Sequence, residues 1–221
     1  MFHLLISVIM LPKLTTLILM LFSFTLAAQN LSENVSLKSI DDSDKGSYKL
    51  PKNQYFSVQF LGFTYHPGGG AVKMVKDYPL KFDKKANFVL NLGLAAMYDY
   101  ELNKRWTIRT EGAFYMDCAY KKAAYIHVAL QLKTLTLGRH SFNFGIGPVL
   151  AVREDWHGFE GYNDTDFYGK RVWNGLQYRF FPVGGQVEYR YKINDDLDFQ
   201  YSVIPGYPAV VTSKFGVRWK L

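Results

Sequence analysis

The only cysteine of the chain, Cys118, follows Asp117 directly in the stretch GAFYMDCAYKK. A thiol can accept an acyl group once a base has removed its proton, because the thiolate is the nucleophilic form. Histidine supplies that base more often than any other side chain, and His66 ends another patterned segment, FTYH. Cys118 can equally be a small loop residue, and His66 a residue before the turn PGGG. The elements that position these residues decide between the two interpretations.

The N-terminus has the composition of an export signal. Residues 1–28 contain one charged side chain, Lys13, and the apolar run LTTLILMLFSFTL before AAQN. This order is typical of a secretory signal peptide, with cleavage expected after Ala28. The alternative is an N-terminal membrane anchor, but the run is shorter than the ~20 residues that span a bilayer. Residues 29–54 would then be a periplasmic lead, either helical or flexible.

Charge and cysteine count narrow the function classes. The formal net charge of +7 on an exported chain favours contact with lipopolysaccharide and argues against a nucleic-acid partner. One cysteine cannot form an internal disulfide. The sequence has no phosphate-binding glycine loop and no metal-type spacing of His and Cys, so we expect neither a cofactor nor a metal.

From Tyr55 onward the chain repeats segments of about ten residues with period-two alternation, separated by turn residues. In one segment Trp106, Ile108 and Phe114 share a face, opposite Arg109 and Glu111. The pattern predicts eight strands, at about 55–66, 86–101, 105–117, 123–136, 140–153, 180–193, 196–204 and 209–221.

Two further features separate a membrane barrel from a soluble sandwich, which would also alternate. The connections are short and long in turn, as they are in outer-membrane barrels. The chain ends within a strand, KFGVRWKL, which is similar to the C-terminal assembly signal of such barrels. We therefore predict an all-β fold over residues 55–221, an eight-stranded antiparallel transmembrane β-barrel in the outer membrane of a Gram-negative bacterium. An even number of strands lets the sheet close, so that lipid meets no unpaired edge.

Inward positions differ with depth. Charged residues of both signs lie toward the periplasm, and we expect them to pair and fill the lower lumen. Small or apolar residues lie toward the outside. Two interpretations stay open there, a solid packed barrel and an apolar pocket that takes one hydrocarbon chain.

Four motifs at the expected rims resemble those of the outer-membrane lipid A palmitoyltransferases of the PagP type. They are FTYH, AFYMDC, AVREDW and FQYSVIPG, in that order along the predicted barrel. The resemblance implies an acyltransferase that moves a fatty acyl chain from a phospholipid to lipid A or a related lipid, without a cofactor. It also implies insertion by the barrel-assembly machinery. The alternative is a non-enzymatic small barrel with a lipid-binding or structural role.

By this resemblance His66, Asp117 and Cys118 are the catalytic residues, with cysteine where the family has serine. Strict alternation places His66 on the lipid side, so it must lie beyond the regular strand to reach Asp117. The resemblance also places Pro182 and Pro205 beside lateral openings of the barrel wall, because proline cannot donate to a strand ladder.

The substrate-binding residues implied by the resemblance surround an acyl pocket. Ala129 stands where the family has the glycine of the pocket floor, and alternation puts it between the apolar and the charged parts of the lumen. Tyr115 and Gly147 line the walls. Arg153, at the outer rim, is expected to contact lipid A phosphates, since arginine binds phosphate bidentately, or else to be an ordinary solvated residue.

Overall fold

The computed structural model of the protein describes residues 54–66, 76, 78–162, 168, 172–206 and 210–221. The predicted signal peptide (1–28) and all but the last residue of the predicted lead (29–54) lie outside the described residues. Among the described residues, no helix is long and apolar enough to cross a bilayer.

Nine strands follow one another along this part of the chain. They are β1 (Gln54–Tyr65), β2 (Phe88–Glu101), β3 (Trp106–Met116), β4 (Lys122–Leu137), β5 (His140–Glu154), β6 (Val172–Trp173), β7 (Leu176–Lys192), β8 (Leu197–Gly206) and β9 (Val210–Lys220).

Eight of these strands form one closed antiparallel barrel. β1 to β5 pair in sequence, β5 pairs with β7, and β7, β8 and β9 lead back to β1. The two-residue β6 lies outside the barrel and forms a short hairpin with the start of β7. The predicted fold class is confirmed. The sequence missed β6, and it placed the start of β7 at 180 instead of Leu176.

The two faces of the strands differ as the alternation predicts. Large apolar side chains point outward and are exposed, among them Leu94, Phe114 and Phe180 at about three fifths of their surface. Their neighbours in sequence point inward and are buried. In a closed barrel the backbone hydrogen bonds are made between neighbouring strands and need no water. An apolar outer face on such a barrel is typical of the outer membrane. The protein is therefore an outer-membrane barrel.

The lower lumen is filled by an ion-pair network. Arg109 is completely buried and bonds both Asp99 (Nε to Oδ1, 2.6 Å) and Glu188. Arg190 and Arg218 join the same carboxylates. These contacts confirm the expected pairing of the charged layer. Pairing is needed because a buried charge is tolerated only when it is paired and hydrogen-bonded.

The network continues outward to Lys214 and Glu111, which alternation also places in the charged lower lumen. Lys214 bonds Glu111, whose other partners include Tyr125 and Gln186. An apolar cluster formed by Leu61, Ala95, Met97 and Ala113 lies beside and above this pair, since Met97 is level with Glu111 and Leu61 with Lys214.

An irregularity in β1 changes which way its last residues face. The registers with β2 and β9 both shift after Leu61, at Gly62. As a result Phe63 points outward and is 54% exposed, and Thr64 points inward and is buried. Strict alternation, which puts His66 on the lipid side, puts Phe63 inside the barrel, and that prediction is wrong. His66 now shares the inward side with Thr64.

The wall between β7 and β8 is incomplete in its outer half. The ladder runs from Lys192↔Asp198 only as far as Val187↔Val203, while β7 pairs with β5 along almost its whole length. Pro182 lies in the segment of β7 without a β8 partner, and it has no N–H to donate. Among the described residues, β6 alone pairs with that edge further out, at Leu176 and Gln177.

Candidate functional site

The turn after β3 is organised by Asp117. One carboxylate oxygen, Oδ1, accepts the backbone N–H of Ala119 (3.0 Å) and of Lys121 (2.8 Å). The backbone of Asp117 also accepts from Tyr120 and donates to Lys121. A side chain that bonds the backbone two residues on is typical of a tight turn. Asp117 thus has a structural role in addition to the chemical role proposed for it.

The second carboxylate oxygen of Asp117 bonds a tryptophan. Trp156, just beyond β5, donates its Nε1–H to Oδ2 at 3.0 Å, and both residues are buried. Burial raises the pKa of Asp117 above its ordinary value, against the opposing effect of its N–H donors and of the Arg153 charge. The carboxylate is held in one orientation by three donors.

Cys118 lies inside an aromatic cluster at the same rim. The residue is 5% exposed and packs with Tyr78, Ala86, Val89 and Trp156. Burial raises the pKa of the Cys118 thiol far above its ordinary range, and the neighbouring Asp117 charge acts in the same direction. The thiol is therefore protonated at neutral pH, and a nucleophilic thiolate requires a base.

His66 faces this cluster from β1. Its backbone N–H donates to Asn87 O at 2.7 Å, and its ring meets Tyr78 edge-on with centroids 6.4 Å apart. Burial lowers the pKa of His66, opposed by the charge of Asp83. The lowered pKa favours the neutral imidazole, which is the form that can accept a proton.

The three predicted catalytic residues thus gather at one rim but do not touch as a triad. Tyr78 lies between His66 and Trp156, with the Tyr78 and Trp156 rings 5.9 Å apart. Within the part of the chain that the structure describes, His66 makes no hydrogen bond or ion pair to Asp117 or Cys118. Their roles in catalysis stay a prediction.

Arg153 is not available to a lipid phosphate in this structure. It is 8% exposed, and its guanidinium lies 3.7 Å from the Trp156 ring centroid and 4.2 Å from that of Tyr168. Its Nε donates to Gln177 Oε1 at 2.9 Å. Stacked and bonded in this way, Arg153 supports the Trp156 ring that bonds Asp117. The expectation of an ordinary solvated rim residue is therefore wrong, while contact of Arg153 with lipid A phosphates stays a prediction.

Tyr168 is one of the aromatic residues that surround the Arg153 guanidinium. Burial raises the pKa of Tyr168 to about 12, and its hydroxyl bonds Tyr115. Tyr115, a predicted wall residue, also meets Tyr125 edge-on at 6.2 Å. The two tyrosines Tyr115 and Tyr125 therefore connect the rim to the ion-pair network across the apolar layer.

Two other predicted substrate-binding residues lie deeper. Ala129 is buried and pairs with Arg109, while Glu111 pairs with His127 one inward position further out. Ala129 is therefore level with the charged network and not at its upper border, because Glu111 and Lys214 extend that network above it. At Gly147, a Cβ atom would lie 1.9 Å from Val128 O, so this glycine permits close packing of β4 and β5.

Sequence reasoning overlooked the aromatic residues that hold the site together. Trp156 was present in the AVREDW motif, but its bond to Asp117 joins residues 39 positions apart. Tyr78 and Tyr168 come from the two long outer connections, where no periodic pattern indicates a position. Among the described residues, no group of three or more His, Cys, Asp or Glu side chains could hold a metal ion.

Comparison with known proteins gives no family. No family model and no curated relative matches the chain. Three solved structures illustrate its similarities: Neisserial surface protein A (11% identity, TM-score 0.48, 76% of this chain and 97% of that chain), the attachment invasion locus protein Ail of Yersinia pestis (13%, 0.42, 76% and 98%) and OprG from Pseudomonas aeruginosa (14%, 0.43, 77% and 97%).

Proposed function

We propose that the protein is an outer-membrane acyltransferase that moves a fatty acyl chain from a phospholipid to lipid A or a related lipid. The observation that supports this most directly is the early end of the β7–β8 ladder at Val187↔Val203. The strand-to-strand hydrogen bonds of this wall therefore end in the same half of the barrel that carries Asp117, Cys118 and His66, where the strands can part most easily. A lipid chain in the bilayer could enter sideways there without crossing water.

The chemistry assigned to the three residues is a two-step transfer. His66 takes the proton of the Cys118 thiol, and the thiolate attacks the ester carbonyl carbon of the phospholipid. The ester C–O bond breaks, the lysophospholipid leaves with the proton held by His66, and a thioester remains on Cys118. An acceptor hydroxyl then gives its proton to His66 and attacks the thioester, and the thiol regains its proton.

Two features of the resting site bear on this reaction. The neutral imidazole and the protonated thiol are the forms that the first step needs. His66 contacts Tyr78, which packs in the same cluster as Cys118, so the first step requires the imidazole to approach the thiol past this ring. Asp117, fixed by Trp156 and its own turn, would orient the imidazole after that movement.

The test incubates the purified protein with a defined phospholipid and lipid A. Mass spectrometry then measures the two products, acylated lipid A and lysophospholipid. Cys118→Ala should abolish both products, and Cys118→Ser should retain part of the activity. Tyr120→Phe is the matched control, because Tyr120 is in the same turn with an exposed side chain. Full activity of Cys118→Ala would contradict the assignment.

A second function is favoured by the burial of the thiol. Cys118 is 5% exposed, and no hydrogen bond joins its thiol to a base among the described residues, which also fits a non-enzymatic barrel with a lipid-binding or structural role. That function predicts no acylated lipid A and no lysophospholipid from the wild-type protein or any variant. The same experiment therefore separates the two.

A further inference from the structure

We propose that residues 80–88, in the outer connection before β2, form a docking patch for lipopolysaccharide, the phosphorylated glycolipid of the outer leaflet. Three exposed lysines, Lys81, Lys84 and Lys85, lie within five positions there. This lysine patch stands at the outer end of the barrel, where the longer connections are found. The inference concerns binding alone and does not depend on acyl transfer.

The backbone under the lysine patch is ordered by its own hydrogen bonds. Phe82 N donates to Phe88 O and Leu90 N to Leu80 O, both at 2.9 Å, and Lys81 forms an isolated bridge with Val89. These bonds extend the β2 hairpin beyond the regular strand. The lysines are therefore presented on a defined surface, which lowers the entropy lost when a ligand binds.

The one carboxylate inside the patch is already engaged. Asp83 accepts the backbone N–H of Asn87 at 2.6 Å and its Nδ2–H at 2.8 Å. It also supports the turn in which Ala86 has φ +52 and is fully buried. With three lysines to one carboxylate, the charge that the patch presents to an approaching molecule is mainly positive.

Aromatic rings extend the patch down the outside of the barrel. Phe82 is 61% exposed and stacks on the outward-facing Phe63, with ring centroids 5.4 Å apart. Tyr65 and Phe88 form a second exposed pair at 4.9 Å. Cations above exposed rings match a ligand with phosphates above hydrocarbon chains. Aromatic residues at the level of lipid head groups are typical membrane anchors.

Charge complementarity favours lipopolysaccharide over a single phospholipid. One lipid A head group carries more than one phosphate, and three lysines within five positions can meet several of them at once. A phospholipid offers one phosphate to the same surface. The patch is also bonded to the candidate site, since Asn87 O accepts from His66 N at 2.7 Å, so a bound glycolipid would lie beside His66.

The experiment measures binding of labelled lipopolysaccharide to the folded protein in phosphatidylcholine nanodiscs. The variant Lys81→Gln/Lys84→Gln/Lys85→Gln should weaken binding about tenfold or more, as a cation near an anionic lipid surface contributes substantially. Lys84→Gln/Lys85→Gln, which keeps the Lys81 ammonium, should show a smaller loss in the same direction. The matched control is Lys104→Gln/Arg105→Gln/Arg139→Gln, which removes three exposed cations from the opposite rim and should bind as the wild type does.

Three outcomes would overturn the proposal. One is unchanged affinity of both patch variants. Another is a loss of affinity in the control variant as large as the loss in the patch variants. The third is an equal loss for phosphatidylglycerol vesicles, which would make the patch a general anionic-lipid surface. Weaker binding of lipid A without its phosphates to the wild type would support it. Lipopolysaccharide binding and acyl transfer are measured separately on the same variants. A variant that loses one and keeps the other therefore distinguishes this proposal from the enzymatic one.

Discussion

The lower lumen and the outer rim of this barrel bury polar groups in opposite ways. In the lower lumen the fully buried charges have oppositely charged partners, as Arg109 has in Asp99 and Glu188. At the rim Asp117 has N–H donors, and Arg153 lies between aromatic rings. The first arrangement holds charges in fixed pairs. The second leaves a carboxylate and a thiol in surroundings that shift their proton affinity.

The lower lumen therefore contributes mainly to stability, and the outer rim carries the groups suited to chemistry. Paired ions in the lower lumen are costly to disturb, because removing one partner leaves the other buried and unpaired. Groups at the rim with raised or lowered pKa are the ones suited to proton transfer. Variants of the two regions should therefore differ both in the size and in the kind of their effects.

The largest effect is expected from Arg109→Met in the lower lumen. It leaves Asp99 and Glu188 with fewer cationic partners and should lower the free energy of unfolding by about 3–5 kcal/mol, measured by urea unfolding in lipid vesicles. Lys104→Met, at an exposed turn, is the control and should change little. A loss for Arg109→Met as small as that of the control would show that the network is not held by these pairs.

At the rim, Trp156→Phe should have an intermediate effect. It keeps the aromatic packing but removes the donor to Asp117 Oδ2, leaving a buried acceptor unsatisfied at a cost of about 1–3 kcal/mol. Trp106→Phe, exposed on the outside of β3, should leave stability nearly unchanged. Equal stability of Trp156→Phe and wild type would mean that water replaces the indole donor.

A smaller effect, dependent on pH, is expected from Asp117→Asn. The pKa of Asp117 is raised in the folded barrel, so the folded state binds this proton more tightly than the unfolded chain does. The resulting stability is complete below the unfolded-state pKa near 3.8 and is lost as the pH rises through the raised folded pKa.

Unfolding measured across that interval should therefore show the wild type losing stability relative to Asp117→Asn as the pH increases. Above the folded pKa the difference should be constant. A relative gain of the wild type over the same interval would mean that the N–H donors outweigh burial and that the pKa of Asp117 is lowered.

The smallest effect is expected at Ala129. Because this residue pairs with Arg109 beneath Glu111 and Lys214, an acyl chain in the outer lumen should end above it. Ala129→Gly should then leave the chain-length distribution of transferred acyl groups unchanged, while Ala113→Val, in the apolar cluster, should shorten it. Longer acyl products from Ala129→Gly would restore Ala129 as the pocket floor. This prediction depends on the proposed acyl transfer.

Most of the barrel could be predicted because each strand repeats one simple rule. Period-two alternation assigns Arg109, Glu111 and Lys214 to the inside without knowledge of their partners. The rule failed at Gly62, since one irregular residue reverses every later side chain in the strand. This reversal is why Phe63 was misplaced and why His66 comes to face inward.

The rim could be predicted only in part. Asp117 and Cys118 were placed at the correct end because they follow a strand. The contacts that define their environment come from Tyr78, Trp156 and Tyr168, which lie in connections far away along the chain. Such contacts depend on the path of a loop in three dimensions, and a local pattern carries no information about that path.

The short β7–β8 ladder also has a kinetic consequence for the backbone. Along residues 178–186 alternate amide groups point toward β5 and are bonded, while the others point toward the side where the ladder to β8 has ended. Hydrogen exchange depends on opening such bonds locally. Deuterium uptake along this stretch should therefore rise and fall with every second residue, interrupted at Pro182, while both edges of Glu188–Tyr191 exchange slowly.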